Sequence, residues 1–192
     1  MENTQSAQDN ADLDLLAACG QGKRDAQQML YRKYYGELMA VCLRYINAEE
    51  EAAEVVNDAF MKIFEGLKRE IPQMFRAWAR RIAVNTAIDH FRANKKHYYA
   101  MDIEHTKIEA TAESAIEKLS AREIIDLVAS LPDSYRTVFN LYVIEGYDHK
   151  EIATMLDITD GTSRSHLAKA RVKLQKLIQN QTPQHYNNGY VG

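Results

Sequence analysis

The chain has 192 residues, a net charge of −3 and an apolar share of 46%, enough for one large domain or two small ones. With only 8 Gly and 3 Pro among abundant Ala, Leu, Ile, Lys, Glu and Arg, its composition favours an all-α protein. The first 14 residues lack the positive and apolar segments of a signal peptide, and the longest apolar run, at 38–43, is too short to cross a bilayer. A soluble cytoplasmic chain without membrane insertion is expected.

Apolar periodicity divides the chain into two helical blocks between polar ends at 1–10 and 181–192. The first block, 11–97, opens with a short helix near 13–19 and a break at Gly20–Lys23. A long helix is predicted near 25–46 and another near 48–67. In the latter, Ala52, Val55, Val56, Ala59, Phe60, Ile63, Phe64 and Leu67 recur at three- and four-residue steps, a wide stripe facing a core. Pro72 breaks the pattern, and a helix near 73–96 follows, with Phe75, Trp78, Ala79, Ile82 and Ile88 inward. The stripe then fades, and 98–113 reads as an acidic, flexible linker. The second block, 114–180, is predicted to hold four helices near 114–130, 132–145, 148–156 and 160–179. Pro132 falls at an early helical position, Gly146 at a stop, and Asp148 at a capping position.

Charge is gathered unevenly. Between Arg69 and Lys96, Arg69, Arg76, Arg80, Arg81, Arg92, Lys95 and Lys96 face only Glu70 and Asp89. Between Tyr98 and Tyr135, acids outnumber Lys107, Lys118 and Arg122. From Gly161 to Asn180 the basic Arg164, Lys169, Arg171, Lys173 and Lys176 meet no acid. Two basic segments flanking an acidic one would attract a nucleic acid at two places and repel it between them.

The stretch from Tyr147 to Leu177 reads as a helix-turn-helix. Ile152, Ala153 and Leu156 form the inward face of its first helix and Ile158 plugs the turn. Thr159, Asp160 or Thr162 can cap the second helix. There Leu167, Ala170, Leu174, Leu177 and Ile178 face inward, and Arg164, Ser165, Lys169, Val172, Lys173 and Lys176 lie mostly opposite. Early residues of such a helix reach base edges and later lysines suit phosphates. Periodicity alone leaves a solvated basic face equally open.

Other features point away from chemistry. Cys19 and Cys42 lie in no CxxC or Cys/His cluster and are expected to be buried thiols. The six His form no HxxxH or HExxH pattern, so no metal is expected. Residues 20–23 lack the spacing of a phosphate loop. Asp89 and His90 are adjacent on a helix and point in different directions. No nucleophile–base set emerges, so neither catalysis, nor a cofactor, nor a small-molecule substrate is expected.

The segment from Leu131 to Leu174 carries Leu-Pro, an apolar helix, a Gly-containing break, Glu-Ile-Ala, and Gly-Thr leading into a basic Ala-Arg helix. It resembles the sigma-4 domain of extracytoplasmic-function (ECF) sigma factors of bacterial RNA polymerase. "AAEVVNDAFMKIFEGL" followed by "FRAWARRIAVNTAIDHFRANKK" resembles the sigma-2 domain of the same family. The resemblance implies two helical domains on a flexible linker, with core RNA polymerase, promoter DNA and an anti-sigma factor as partners. It places Arg164, Ser165, His166, Lys169 and Lys173 on the surface that reads the −35 element. Arg80, Arg81, Asn85, Asp89 and Arg92 correspond to the −10-facing helix, and the loop 67–73 to one that captures a flipped base. Asn57, Asp58, Phe60 and Met61 correspond to the helix that docks on the polymerase. Three positions depart from the family pattern. Ser163 stands where Val is usual, which would loosen the helix from its core. Asp157 replaces a turn Gly, and His166 often corresponds to Arg. A free-standing helix-turn-helix regulator and a protein-only helical adaptor are the competing readings. The first leaves the basic helix at 73–96 unexplained.

Overall fold

The computed structural model describes residues 12–94 and 121–181. The chain divides into two compact units, with the boundary between Asn94 and Lys95. The linker expected at 98–113, the tail at 1–10 and the start of the helix near 114–130 lie outside the described residues. So does the tail from 181, apart from Gln181, which closes the last helix.

The first unit holds α1 (residues 12–20), α2 (Arg24–Cys42), α3 (Glu49–Leu67) and α4 (Phe75–Ala93). Its centre is α3, whose Ala52, Val55, Val56, Ala59, Phe60, Ile63 and Leu67 are all buried. Burying each larger side chain of that stripe is worth about 1.5–3 kcal/mol relative to exposure. Across from it, α4 presents Ala79, Ala83 and Ala87 at four-residue steps, each fully buried. Small residues at that spacing let helix axes approach closely, and α2, α3 and α4 touch pairwise. Gly66 carries the same device to the end of α3, because a Cβ there would lie 2.6 Å from the Trp78 ring. The sequence predicted α2 to run to residue 46, but it stops at Cys42. The Arg44 and Tyr45 N–H groups donate to the carbonyls three residues back, at 3.2 and 2.9 Å. This tighter turn swings Tyr45 and Ile46 into the core.

The second unit contains α5 (Ala121–Ala129), α6 (Asp133–Phe139), a π-helical turn (Asn140–Ile144), α7 (His149–Leu156) and α8 (Asp160–Gln181). The predicted continuous helix at 132–145 is thus α-helical only to Phe139. The Glu145 N–H then donates to the Asn140 carbonyl at 3.0 Å, a five-residue step. Gly146, at φ 81°, ends the segment in a conformation that suits glycine. Leu131, Tyr135 and Ala170 form the core where α6 meets α8, with Val128, Phe139 and Leu174 packed around them. Arg136 is buried within this layer. Its guanidinium donates to the Ala129 and Leu131 carbonyls at 3.1 and 3.4 Å and pairs with Asp133. A buried cation thereby satisfies the last carbonyl of α5, which the helix itself leaves without a donor, and one carbonyl of the turn that follows it.

Candidate nucleic-acid interface

The helix-turn-helix is held by local chemistry already visible in its residues. Asp148 accepts the N–H groups of Lys150 and Glu151 at 2.8 Å each, while the Glu151 carboxylate accepts the Asp148 N–H at 2.8 Å. This reciprocal capping box starts α7. The hydrogen bonds from the Glu151 and Lys150 backbone stabilise the charged carboxylate and hold the Asp148 pKa below the usual range. Asp157 ends α7 at φ 53°, ψ 54°, the left-handed conformation expected where Asp stands in place of Gly. Thr159 caps α8, its hydroxyl accepting the Thr162 N–H at 3.1 Å. Ile152 and Leu156 are buried, as the inward face requires.

Along α8 the predicted −35 residues separate. Arg164 and Ser165 are exposed, and Lys169 and Lys173 are half-buried. Arg164 is tied to Asp160 one turn earlier at 3.0 Å, and the Lys169 ammonium lies 5.6 Å from the centre of the Tyr135 ring. His166 does not join them. It is 8% exposed and packs on Tyr135 with ring centres 5.3 Å apart. Three residues after Ser163 and four before Ala170, both at 0% exposure, it falls on the inward stripe. Ser163, which stands where Val is usual, is fully buried, and its hydroxyl meets Nδ1 of His149 at 2.9 Å, a polar contact that Val could not make. No periodicity signals a pair formed across two helices.

In the first unit Arg81, Asn85, Asp89 and Arg92 follow one another at four, four and three residues, all exposed on one stripe of α4. Arg80 lies at the edge of this stripe, half-buried. Asp89 pairs with Lys62 of α3 at 3.1 Å. Phe75 and Phe91 are buried and Trp78 is half-buried, which places the two phenylalanines in the core. On α3, Asn57, Asp58 and Met61 are exposed, and Asn57 accepts the Tyr31 hydroxyl at 2.9 Å. Phe60 departs from that group. It is 1% exposed and packs on Tyr31 with ring centres 4.6 Å apart. Four residues after Val56 and three before Ile63, it belongs to the core stripe.

Beside the turn into α4 lies a cleft of about 410 Å³, its lining including Tyr34, Gln73, Met74 and Arg76. Arg76 donates to both carboxylate oxygens of Glu37 at 2.7 Å, and this bond raises its pKa. Cys19 and Cys42 are free and fully buried, and burial pushes their thiols up to about 11 and about 12. Among the described residues no group of three or more His, Cys, Asp or Glu could hold a metal ion. No helix among them is long and apolar enough to cross a membrane.

The profile of sigma-70 region 2 matches residues 30–97, and that of sigma-70 region 4 matches residues 121–174. The chain is 25% identical over 181 residues to the RNA polymerase sigma-H factor of Pseudomonas aeruginosa, covering 88% of this chain and 94% of that one. It is 28% identical over 188 residues to the ECF RNA polymerase sigma-E factor of Haemophilus influenzae, covering 90% and 98%. Among solved structures, that of CnrH in complex with the cytosolic domain of CnrY is similar with a TM-score of 0.47 and 23% identity, covering 90% of this chain and 99% of that one. Two sigma-70 regions in order, one carrying the α3–α4 hairpin and the other the capped helix-turn-helix, make this chain a member of the sigma-70 family, an alternative sigma factor of the ECF type for promoter recognition and transcription initiation.

Proposed function

We propose that the two basic helix faces divide promoter recognition between them, with residues 11–97 serving the −10 element and core polymerase and residues 114–180 the −35 element. The observation that carries this reading is the exposed basic residues of α4 and α8, each inside its own family region. Arg164, Ser165, Lys169 and Lys173 contact the −35 duplex from the major groove. His166 supports that helix from beneath. Arg81, Asn85, Asp89 and Arg92, with Arg80 at the margin, face the −10 element. Asn57, Asp58 and Met61 dock on polymerase, with Phe60 holding their helix in place. The cleft beside Gln73 and Met74 lies within the size range of small-ligand pockets and suits a base released from the duplex.

In this reading the chain performs no catalysis itself. It lowers the cost of strand opening by binding the opened form, while bond formation stays with the polymerase. It acts in the cytoplasm, and an anti-sigma factor is a further partner, proposed on family membership. In vitro transcription with core polymerase tests the whole: initiation should appear only at promoters found by start-site mapping after overexpression. Absence of promoter-dependent initiation on all of them would sink the proposal. Tight, specific duplex binding without polymerase would instead favour a free-standing regulator.

A further inference from the structure

The π-helical turn Asn140–Ile144 has a consequence for α8. Its wider hydrogen-bond step leaves Tyr142 37% exposed and stacked on His149, with ring centres 4.6 Å apart and planes inclined by 24°. His149 in turn meets the buried Ser163 hydroxyl at 2.9 Å, in the first turns of α8. Eight residues further along the same helix, the guanidinium carbon of Arg171 lies 6.0 Å from the centre of the Tyr142 ring. Ser163, His149, Tyr142 and Arg171 thus close a circuit that leaves α8, crosses α7 and the π-turn, and returns to α8.

Helical geometry sets where this circuit emerges. At 100° per residue, Arg164 and Arg171 differ by about 20° and share one flank of α8, while Lys169 and Lys173 share the other, about 160° away from Arg171. Ser165, Ala168 and Val172 lie between. Each flank therefore carries a cation over an aromatic ring, Lys169 over Tyr135 and Arg171 over Tyr142. A helix seated in a major groove has a phosphate backbone on either side of it.

We propose that Arg171 is a DNA-phosphate contact, and that Tyr142, steadied by His149 and Ser163, is the positioning residue that presents it. The proposal rests on the reading that α8 enters a major groove. A guanidinium against a ring face keeps its charge and its in-plane N–H donors, so the contact restricts rotamers without consuming the hydrogen bonds that phosphate needs. The contact carries no sequence information; it fixes the register in which Arg164 and Ser165 meet base edges.

The test uses the full chain assembled with bacterial core polymerase and a fluorescent promoter duplex identified by start-site mapping, titrated across a KCl series. Arg171→Gln should lower the slope of log K against log[KCl] by about one contact, equally on the promoter and on a version scrambled at −35. Tyr142→Ala should weaken binding in the same direction, and Tyr142→Phe should restore it, since the ring and not the hydroxyl presents the guanidinium. An unchanged slope in Arg171→Gln overturns the proposal, as does a loss confined to the unscrambled promoter. Equal loss in Tyr142→Phe and Tyr142→Ala overturns the part assigned to the ring. Arg164→Ala separates the two levels. If it weakens binding while Arg171→Gln does not, only the phosphate contact fails; if neither matters, the seating of α8 in the groove fails.

Discussion

Phe60 and Met61 are neighbours on α3 with opposite surroundings, 1% and 62% exposed. Phe60→Ala should therefore cost about 3–5 kcal/mol of stability, as truncation of a buried aromatic does, and show it as a lowered unfolding midpoint. Met61→Ala should leave the midpoint within about 0.5 kcal/mol and weaken polymerase binding in a pull-down. Arg136 is the other residue whose burial decides its effect. Arg136→Met removes the donors to the Ala129 and Leu131 carbonyls and the partner of Asp133. Lost buried hydrogen bonds of this kind cost about 1–3 kcal/mol each where the acceptor stays dry. Unfolding of the second unit should shift well ahead of the wild type. The capping carboxylate of Asp148 makes a pH-dependent contribution. Its folded pKa is depressed, so its stabilisation is complete above the unfolded value of about 4 and fades as pH falls through the folded value. Melting curves of Asp148→Ala and the wild type should differ at pH 7 and converge in acid. Equal curves at pH 7 would remove the cap from the account.

At the level of elements, the α3–α4 hairpin is closed by shape. A Cβ at position 66 would sit 2.6 Å from Trp78, and overpacking of this sort costs about 1–3 kcal/mol. Gly66→Ala should lower the melting midpoint, and adding Trp78→Leu should recover part of the loss, a coupling that a double-mutant cycle reads directly. The repacked hairpin should also transcribe less, because α3 and α4 carry the proposed polymerase and −10 faces on the same pair of helices. Much of this organisation was legible. The stripe from Ala52 to Leu67, the cap at Asp148 and the left-handed Asp157 are local features of one helix or one turn. The premature end of α2 and the π-turn at Asn140 were not. Each departs from α-helical geometry, and periodicity alone carries no mark of the switch.

For the molecule as a whole, two modest DNA contacts on one chain gain from each other, since the second binds at the effective concentration set by the first. Reversing charge at Arg81 or at Arg164 should each reduce promoter-dependent initiation strongly while leaving polymerase binding intact. The pair of reversals should fall to the level of non-promoter DNA. If either single reversal leaves transcription unchanged, that face is not part of the promoter contact. The thiols stand apart from this work. With both pushed well above neutral pH by burial, the native chain should take up no thiol reagent until it is unfolded.

The sequence by itself determined the class of this protein: a helix-favouring composition, two basic segments around an acidic one, and two family patterns in order. Those properties are carried by composition, by charge along the chain and by spacing within single helices, and none of them requires knowing what packs on what. Tertiary structure decided which members of each pattern are exposed. His166 fits its motif by position yet faces inward, because a helix's buried stripe is set by the surfaces that close over it and a residue at its edge can fall to either side; Phe60 lies where periodicity had already put it, in the core stripe. The joining of Ser163 to His149, and of Arg171 to Tyr142, depends on distances between separate elements, and only the folded chain brings them together.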